Sequence, residues 1–151
     1  MRIFLDANIL FFAGKSAGAV RGFLEVLKSG GYTLVADVYV VEEARRDLEA
    51  KFPASLKDFE VVLYPLESSA TLRCFLPPGF APELPEKDRP ILASAIQRRC
   101  DCLLTSDKTH FWPLYGKCLE GVTIHSPAGL AKHLSDEADR LSVPNIQVSL
   151  K

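Results

Sequence analysis

The sequence predicts one α/β domain, a three-layer α/β/α arrangement with a largely parallel central sheet of about four to five strands. Two observations carry this prediction. Short apolar runs alternate with longer stretches whose apolar residues recur at helical spacing, as in a parallel sheet covered by helices on both faces. The chain has 151 residues, 48% hydrophobic and 25% charged, which suits one globular domain. We assign residues 1–140 to that domain and leave 141–151 as a tail of undetermined structure.

The first half of the chain contains three predicted strands and two strong predicted helices. The strands are the apolar runs 2–5, 32–36 and 61–64, and the helices are 17–29 and 38–52. Gly30-Gly31 ends the first of these helices, and Pro53 closes the second. A short helix over 9–13 is predicted to stop at Gly14, and 54–59 is predicted as another short helix.

The second half begins with a stretch, 67–76, that fits no element clearly, a helix being one option. Residues 77–85 contain four prolines and predict a surface loop inside the domain. The clearest helix follows over 88–99, with Pro90 accommodated in its first turn. The remaining predicted elements are the strands 101–105 and 122–124, a helical segment from Ser106 through Trp112, and a last helix starting at Ser126-Pro127.

Charge and apolar patterning narrow the function classes. The formal net charge is −1 at pH 7, so any nucleic-acid contact must rest on a local basic patch. No run of eighteen apolar residues occurs, which argues against a membrane span. The opening apolar run meets Asp6 too early to form the core of a signal peptide. We therefore expect a cytoplasmic protein.

The cysteines and histidines do not form a recognisable metal motif. No C-x-x-C pair occurs, and the histidines stand at no zinc-finger spacing from the cysteines. We therefore expect buried, reduced thiols. The residues concerned are Cys74, Cys100, Cys102, Cys118, His110, His125 and His133.

Polar side chains follow the predicted strands where a parallel sheet carries its site, at the carboxyl ends. They are Asp6 and Asn8 after the first strand, Asp37 after the second, and Thr105, Ser106 and Asp107 after the fourth. Glu43 and Asp88 lie on helices that can border the same crevice. Clustered carboxylates repel each other unless a cation neutralises them, and Mg²⁺ takes carboxylate and phosphate oxygens. This chemistry suits phosphodiester cleavage.

Five segments in order carry a resemblance to a known family. They are Ile3–Leu10, a strand running into Asp-x-Asn; Val40–Leu48, a helix with glutamates; Lys87–Ala95; Cys102–Lys108, a strand ending in Thr-x-Asp; and Ser126–Leu130. On these segments the chain resembles the PIN domain family, nucleases that include VapC-type toxins and RNA-processing enzymes. The match covers nearly the whole chain. Ala7 departs from the Thr or Ser that the family often has there, and this removes no ligand.

The resemblance implies a metal-dependent endoribonuclease that leaves 5′-phosphate and 3′-hydroxyl ends. The implied catalytic residues are Asp6, Glu43, Asp88 and Asp107, of which Asp6, Asp88 and Asp107 hold Mg²⁺ or Mn²⁺, with Asn8, Thr105 and Ser106 supporting them. Single-stranded or structured RNA is the implied substrate, and a homodimer is the expected state. The family also includes toxins of toxin-antitoxin pairs, so an antitoxin is a candidate partner.

Each acid also has a simpler explanation. Asp37, Asp88 and Asp107 stand at predicted helix starts, where aspartate is a favoured cap. Capping alone does not account for the pairing of Asp6 with Asn8 at one strand end and Thr105 with Asp107 at another. The periodicity of the helix does not choose between Glu42 and Glu43, and only the resemblance favours Glu43.

Other residues and functions stay open on the sequence. Arg45, Arg46 and Lys108 are candidate phosphate contacts, although isolated helix charges are usually just solvated. Phe111-Trp112 is expected in the core rather than stacked on a base. His110 is a candidate phosphate contact beside Asp107, although a surface or half-packed histidine is the favoured interpretation. The alternative function is a non-catalytic RNA- or protein-binding scaffold of PIN-like fold. A phosphate-accepting regulator requires two adjacent acids directly after the first strand. Here Asp6 is followed by Ala7 and Asn8, which argues against that function.

Overall fold

The computed structural model describes residues 1–69 and 75–149, and within them the chain forms one mixed sheet. The strands are β1 (Arg2–Leu5), β2 (Thr33–Asp37), β3 (Glu67–Ser69), β4 (Cys102–Leu104), β5 (Cys118–Leu119) and β6 (Val122–His125). Their order across the sheet is β3-β2-β1-β4-β6-β5. All neighbouring strands pair in parallel except β5, which is antiparallel to β6.

Helices connect the parallel strands. They are α1 (Ala7–Lys15), α2 (Ala19–Ser29), α3 (Val38–Lys51), α4 (Leu56–Leu63), α5 (Arg89–Gln97) and α6 (Pro127–Ser149). The predicted three-layer α/β/α class with a largely parallel sheet is confirmed. The sheet has six strands among the described residues rather than four to five, because the two-residue strand β5 is too short to leave a sequence signal. No described helix is long and apolar enough to cross a membrane.

The third predicted strand, 61–64, is wrong. Residues Leu56–Leu63 form a helix whose Phe59 is fully buried, and Val61 faces solvent. Short apolar runs of this kind fit either a strand or a helix, so periodicity alone does not separate them. The strand at this edge of the sheet is Glu67–Ser69, whose polar sequence gives no apolar signal. Part of the ambiguous stretch 67–76, with Cys74, lies outside the described residues.

Two further predictions need correction. Gly14 does not stop the first helix but lies inside α1, where a Cβ would come within 2.7 Å of the Phe59 ring and 3.0 Å of Leu48. The segment predicted to be helical from Ser106 contains mainly turns, with a short 3₁₀ helix only at Trp112–Leu114. Helix α6 runs on to Ser149, so most of the tail, whose structure the sequence left undetermined, is helical.

The core lies on both sides of β1 and β4, which are fully buried or nearly so along most of their length. Its largest fully buried side chains include Phe4, Phe59 and Phe111. Cys100 and Cys102 are buried free thiols, as expected, and burial raises the pKa of Cys102 to about 12. Cys118 is a free thiol too, but it is exposed, contrary to expectation.

Sheet topology decides where the polar side chains meet. β1 lies between β2 and β4, and Leu5 pairs with Leu104, so Asp6 and Thr105 follow two neighbouring strands at one edge. A helix that connects parallel strands runs antiparallel to them, so the start of α5 returns to this same edge. Asp88, which directly precedes α5, is thereby brought towards Asp6, more than eighty positions away in sequence.

Candidate metal centre

Asp6 is held at the carboxyl end of β1 by a dense set of hydrogen bonds. Its Oδ1 accepts from the Ala7 backbone N–H at 2.7 Å, which makes it the cap of α1. Its Oδ2 accepts from the Thr105 hydroxyl at 2.8 Å and from the Asn8 amide at 3.3 Å. The side chain is buried, so these bonds fix the direction in which the carboxylate faces.

Asn8 joins the ends of β1 and β4 into one unit. Its amide nitrogen donates to the Thr105 hydroxyl at 3.2 Å, and its Oδ1 accepts from the Ser106 backbone at 2.9 Å and hydroxyl at 3.0 Å. Thr105 Oγ1 also accepts from the Asp107 backbone N–H at 3.1 Å. These bonds fix the positions of Asp6 and Asp107, and the role of Asn8, Thr105 and Ser106 as supports of a metal site stays a prediction.

Asp88 occupies the capping position of α5, yet its side chain makes no capping hydrogen bond. It is only 7% exposed, and its Oδ2 makes no hydrogen bond of favourable geometry in the described part of the chain, although His110 Nδ1 lies at ion-pair distance from it, 3.0 Å away. A buried carboxylate oxygen needs a hydrogen bond, a charged partner or a cation. Helix capping therefore does not explain Asp88, whereas coordination of a cation would satisfy this oxygen.

Asp107 and His110 complete a compact group of ligand atoms with Asp88. His110 Nδ1 lies 3.0 Å from Asp88 Oδ2 and 3.1 Å from Asp107 Oδ2, and it too is buried without a hydrogen bond. One ligand atom from each of the three residues lies within 4.8 Å of the others. Asp107 uses its other oxygen, Oδ1, to accept from the backbone N–H groups of Thr109 and His110 at 2.8 and 2.9 Å.

The three residues fit a divalent cation. Carboxylate oxygens suit Mg²⁺ and Mn²⁺, and an added imidazole nitrogen is a ligand that transition ions accept more readily. The sequence did not point to His110, because a histidine three residues after an aspartate has no signature outside the fold. The signal that identifies it is spatial: a nitrogen placed between two carboxylates from distant segments.

Glu43 lies at the mouth of the same site. It lines a cleft of about 210 Å³ together with Asp6, Asp88 and Asp107, whereas Glu42 is exposed and lies 3.8 Å from Arg45. The structure thus separates two glutamates that helix periodicity could not. All four members of the predicted quartet border one cleft, although the metal-binding role of each stays a prediction.

Asp37 differs from these acids. Its Oδ1 accepts from the Val40 backbone N–H at 3.0 Å and its Oδ2 from the Ser94 hydroxyl at 2.6 Å. Both oxygens are therefore used, and Asp37 caps α3 while tying it to α5. For this acid the simple capping explanation is sufficient.

The cleft carries more negative charge than it can neutralise by itself. Burial, with a smaller contribution from the charges of Asp88 and Glu43, raises the pKa of Asp6 to about 6, against the hydrogen bonds from Thr105 and Ala7. Burial also raises the pKa values of Glu43 and Asp88, with His110 and Lys87 opposing the rise at Asp88. A bound cation would relieve all three carboxylates.

Tyr115 is a positioning residue that the sequence analysis missed. Its hydroxyl donates towards the carbonyl oxygens of Asp107 at 2.8 Å and Thr105 at 3.2 Å. Burial, with the charges of Asp107 and Asp6, raises its pKa to about 12, so it stays a donor. It holds the turn that follows β4 and with it the direction of Asp107.

The candidate phosphate contacts Arg45, Arg46 and Lys108 lie in different surroundings. Arg45 is engaged elsewhere, paired with Glu60 and placed over the Phe59 ring. Arg46 is exposed and close enough to lower the pKa of Glu43. Lys108 lines a separate apolar hollow with Trp112. Phe111 is fully buried, as expected, but Trp112 is 65% exposed, so the core prediction is wrong for Trp112.

Comparisons with known proteins agree with the fold. No protein-family model matches the sequence, and no curated protein matches it. The structure is similar to a chain in the crystal structure of VapBC2 from Rickettsia felis bound to a DNA fragment from their promoter, with a TM-score of 0.61. The match covers 83% of this chain and 98% of that one, at 18% sequence identity. The predicted PIN-like fold is confirmed. At this identity the likeness extends to the fold alone.

Proposed function

We propose that this chain is a PIN-type endoribonuclease that hydrolyses RNA phosphodiester bonds with the help of Mg²⁺ or Mn²⁺. The observation that carries the proposal is the close grouping of Asp88, Asp107 and His110. His110 Nδ1 lies 3.0 Å from Asp88 Oδ2 and 3.1 Å from Asp107 Oδ2, and among the described residues neither that nitrogen nor Asp88 Oδ2 makes a hydrogen bond of favourable geometry. An acidic cleft whose ligand atoms lack hydrogen bonds suits a cation. By analogy, the PIN-like fold favours nuclease chemistry at such a site.

Asp6, Asp88 and Asp107 would hold the ion, with His110 Nδ1 as a further ligand and Glu43 at the rim. A divalent ion held there neutralises the carboxylates and lowers the pKa of a bound water, the nucleophile that phosphodiester hydrolysis requires. The chain itself supplies rigidity. Asn8, Thr105 and Tyr115 fix the two strand ends, so the carboxylates keep their spacing when phosphate approaches.

RNA and the acidic cleft are both negatively charged, so binding requires positive charge at the site. Lys51 and Lys87 line the cleft beside the acids and supply positive charge within it. A chain with net charge −1 has no general attraction for RNA, so we assign phosphate binding to these local lysines and the ion.

The fold also supports a proposal about partners. The similar chain comes from a VapBC2 complex. We therefore propose the toxin of a toxin-antitoxin pair as the form of this nuclease, with the product of a neighbouring reading frame as its antitoxin. Co-expression of that frame should relieve growth arrest caused by this chain. A homodimer is the expected free state, and sedimentation at high micromolar concentration giving 16.7 kDa would contradict it.

The test of the nuclease proposal is a cleavage assay on a mixed RNA pool with purified protein. We expect cleavage in Mg²⁺ or Mn²⁺, none in EDTA, and recovery when metal is restored. Asp6→Asn keeps an oxygen to accept from Ala7 but weakens the charge of the site, and it should be inactive. Cleavage that is unchanged in EDTA and in Asp6→Asn would exclude the metal mechanism.

A further inference from the structure

An exposed group of rings and lysines lies beside the acidic cleft. It consists of Phe11, Phe12 and Lys15 on α1 with Lys51 and Phe52 at the end of α3, and we call it the aromatic–lysine patch. The ring centroids of Phe11 and Phe12 are 5.5 Å apart at an angle of 72°, and those of Phe11 and Phe52 are 6.0 Å apart. Phe12 and Phe52 are 41% and 40% exposed.

The two lysines of the patch are held against its rings. Lys15 Nζ lies 5.2 Å from the Phe52 ring centroid and 5.5 Å from that of Phe12, and Lys51 Nζ lies 5.6 Å from that of Phe11. Neither ammonium is within ion-pair distance of a carboxylate in the part of the chain that the structure describes. Both charges thus remain available to an anion.

Packing between α1 and α3 explains only part of this arrangement. Phe11 packs against the core and needs no other role. Phe12 and Phe52 leave large apolar surface in water, which is unfavourable by roughly 25 cal/mol for each Å². Lysine stems can cover such rings, but they also place two positive charges directly on them. Rings and cations together are features of a single-strand nucleic-acid surface.

The patch is continuous with the proposed metal centre. Phe11, Phe12 and Lys51 line the same cleft as Asp6 and Asp88. The cleft therefore contains both carboxylates and an ammonium with aromatic rings. A polynucleotide matches this combination, because its phosphates need a cation at each step and its unpaired bases offer flat faces for stacking.

We propose that the aromatic–lysine patch binds nucleotides of a single-stranded RNA next to the scissile phosphate. Phe12 and Phe52 stack on unpaired bases, and Lys15 and Lys51 contact the neighbouring phosphates. Bases in a duplex are already stacked and paired, so the patch selects single strands. The inference rests on the proposed nuclease function, of which it names the substrate form.

Binding rather than cleavage tests the patch. We would measure the binding of a short single-stranded RNA carrying 2-aminopurine, and of the same RNA in a duplex, in EDTA so that no cleavage interferes. Phe12→Leu and Phe52→Leu keep apolar volume but remove the ring. Each should weaken single-strand binding roughly tenfold and reduce quenching of the 2-aminopurine fluorescence. Lys51→Gln should lower the salt dependence of binding by about one phosphate contact.

Tyr64→Leu is the matched control, because Tyr64 is a 92% exposed aromatic at the end of α4 and does not line the cleft. It should bind RNA as the parent does. Equal affinity for the duplex, or unchanged binding by both Phe variants, overturns the proposal. A Phe12→Leu protein that loses a dimer in sedimentation but still binds RNA overturns it too, since the patch is then an interface between copies.

The two proposals fail in different ways. A parent protein that binds single strands through the patch but never cleaves RNA with metal present contradicts the nuclease function and supports the patch. A parent that cleaves RNA, with Phe12→Leu and Phe52→Leu cleaving and binding equally well, supports the nuclease and overturns the patch.

Discussion

Asp37 and Asp88 each stand directly before a helix in the same domain, and both are buried, yet only one behaves as a cap. Asp37 places one oxygen on the Val40 N–H and the other on the Ser94 hydroxyl. Asp88 makes no capping bond, and its Oδ2 makes no hydrogen bond of favourable geometry among the described residues. The difference teaches that the position of an aspartate before a helix does not reveal its role, whereas counting the partners of each oxygen does.

The largest expected difference between these two aspartates is in activity. Asp88→Asn should reduce RNA cleavage at least about 100-fold, since loss of even an outer partner of a metal site costs roughly 10- to 100-fold. Asp37→Asn keeps a capping oxygen and lies outside the cleft, so its rate should stay within about threefold of the parent. The measurement is single-turnover cleavage in Mn²⁺. Equal losses of cleavage in both variants would show that the different hydrogen bonding of Asp37 and Asp88 does not reflect a difference in function.

The next effect is thermal stabilisation by metal. An ion that binds only the folded state adds about 2.7 kcal/mol to the free energy of unfolding at a hundredfold excess over Kd. At roughly 2–4 °C per kcal/mol for a domain of this size, the melting temperature should rise by roughly 5–11 °C. Asp37→Asn should keep this shift, and Asp88→Asn should lose most of it. A shift that survives in Asp88→Asn would place the ion elsewhere.

Without metal, substitutions of Asp37 and Asp88 should shift the melting temperature in opposite directions. Asp37→Ala removes a cap and a buried hydrogen bond to Ser94, which together cost about 2 kcal/mol. Asp88→Asn removes a charge that is unfavourable because it is buried and because Asp107 and Asp6 repel it, an effect that His110 and Lys87 only partly offset, so it should melt above the parent. Melting in EDTA measures both. If Asp88→Asn melts below the parent, the carboxylate of Asp88 stabilises the free protein and the repulsion argument is incorrect.

A smaller effect is expected in the pH dependence of the free energy of unfolding. Because the folded-state pKa of Asp6 is raised to about 6 from 3.8, the folded protein binds a proton that the unfolded chain does not. This term therefore stabilises the folded state as pH falls, by about 1.4 kcal/mol between about pH 7.5 and about pH 5. Asp6→Asn in EDTA should lack it. Denaturant unfolding of both proteins at the two pH values gives the difference, and an identical pH response in the two would contradict the raised pKa.

The fold was largely predictable from sequence because its main elements are locally distinct. The strands at 2–5 and 122–124 and the helix at 38–52 combine apolar patterning with clear end signals. The error at 61–64 arose where helix and strand patterns coincide, and packing of Phe59 against Gly14 is what favours the helix. That contact joins residues 45 positions apart, so no local window contains it.

The candidate site was predictable in part for a different reason. Asp6, Asn8, Thr105 and Asp107 follow strands, and strand ends are visible in a sequence. Their hydrogen-bonded arrangement required only that the two strands be neighbours. His110 was not predictable, because its role depends on Asp88 and Asp107 approaching it from separate segments. The use of both Asp37 oxygens, likewise, depends on Ser94 from another helix.

The smallest expected effect concerns Glu42 and Glu43, neighbours in sequence that face different surroundings. Glu43 lines the cleft, and its pKa is raised by burial and by the charges of Asp47 and Asp88. Glu42 is exposed near Arg45, an ion pair whose loss changes stability by less than about 1 kcal/mol. Glu43→Gln should slow cleavage roughly tenfold and shrink the metal-induced melting shift, while Glu42→Gln changes neither.

The paired substitution is informative because both variants remove one charge from the same helix turn and leave its length and volume unchanged. A general effect of helix charge on RNA binding would therefore appear equally in both. Only a position that faces the ion would appear in Glu43→Gln alone. If Glu42→Gln proves the more damaging, the rim of the site lies on the Arg45 side of α3, and the proposed quartet loses its glutamate. The three aspartates would then have to hold the ion without a glutamate. The main support for the metal site would remain the different hydrogen bonding of Asp37 and Asp88.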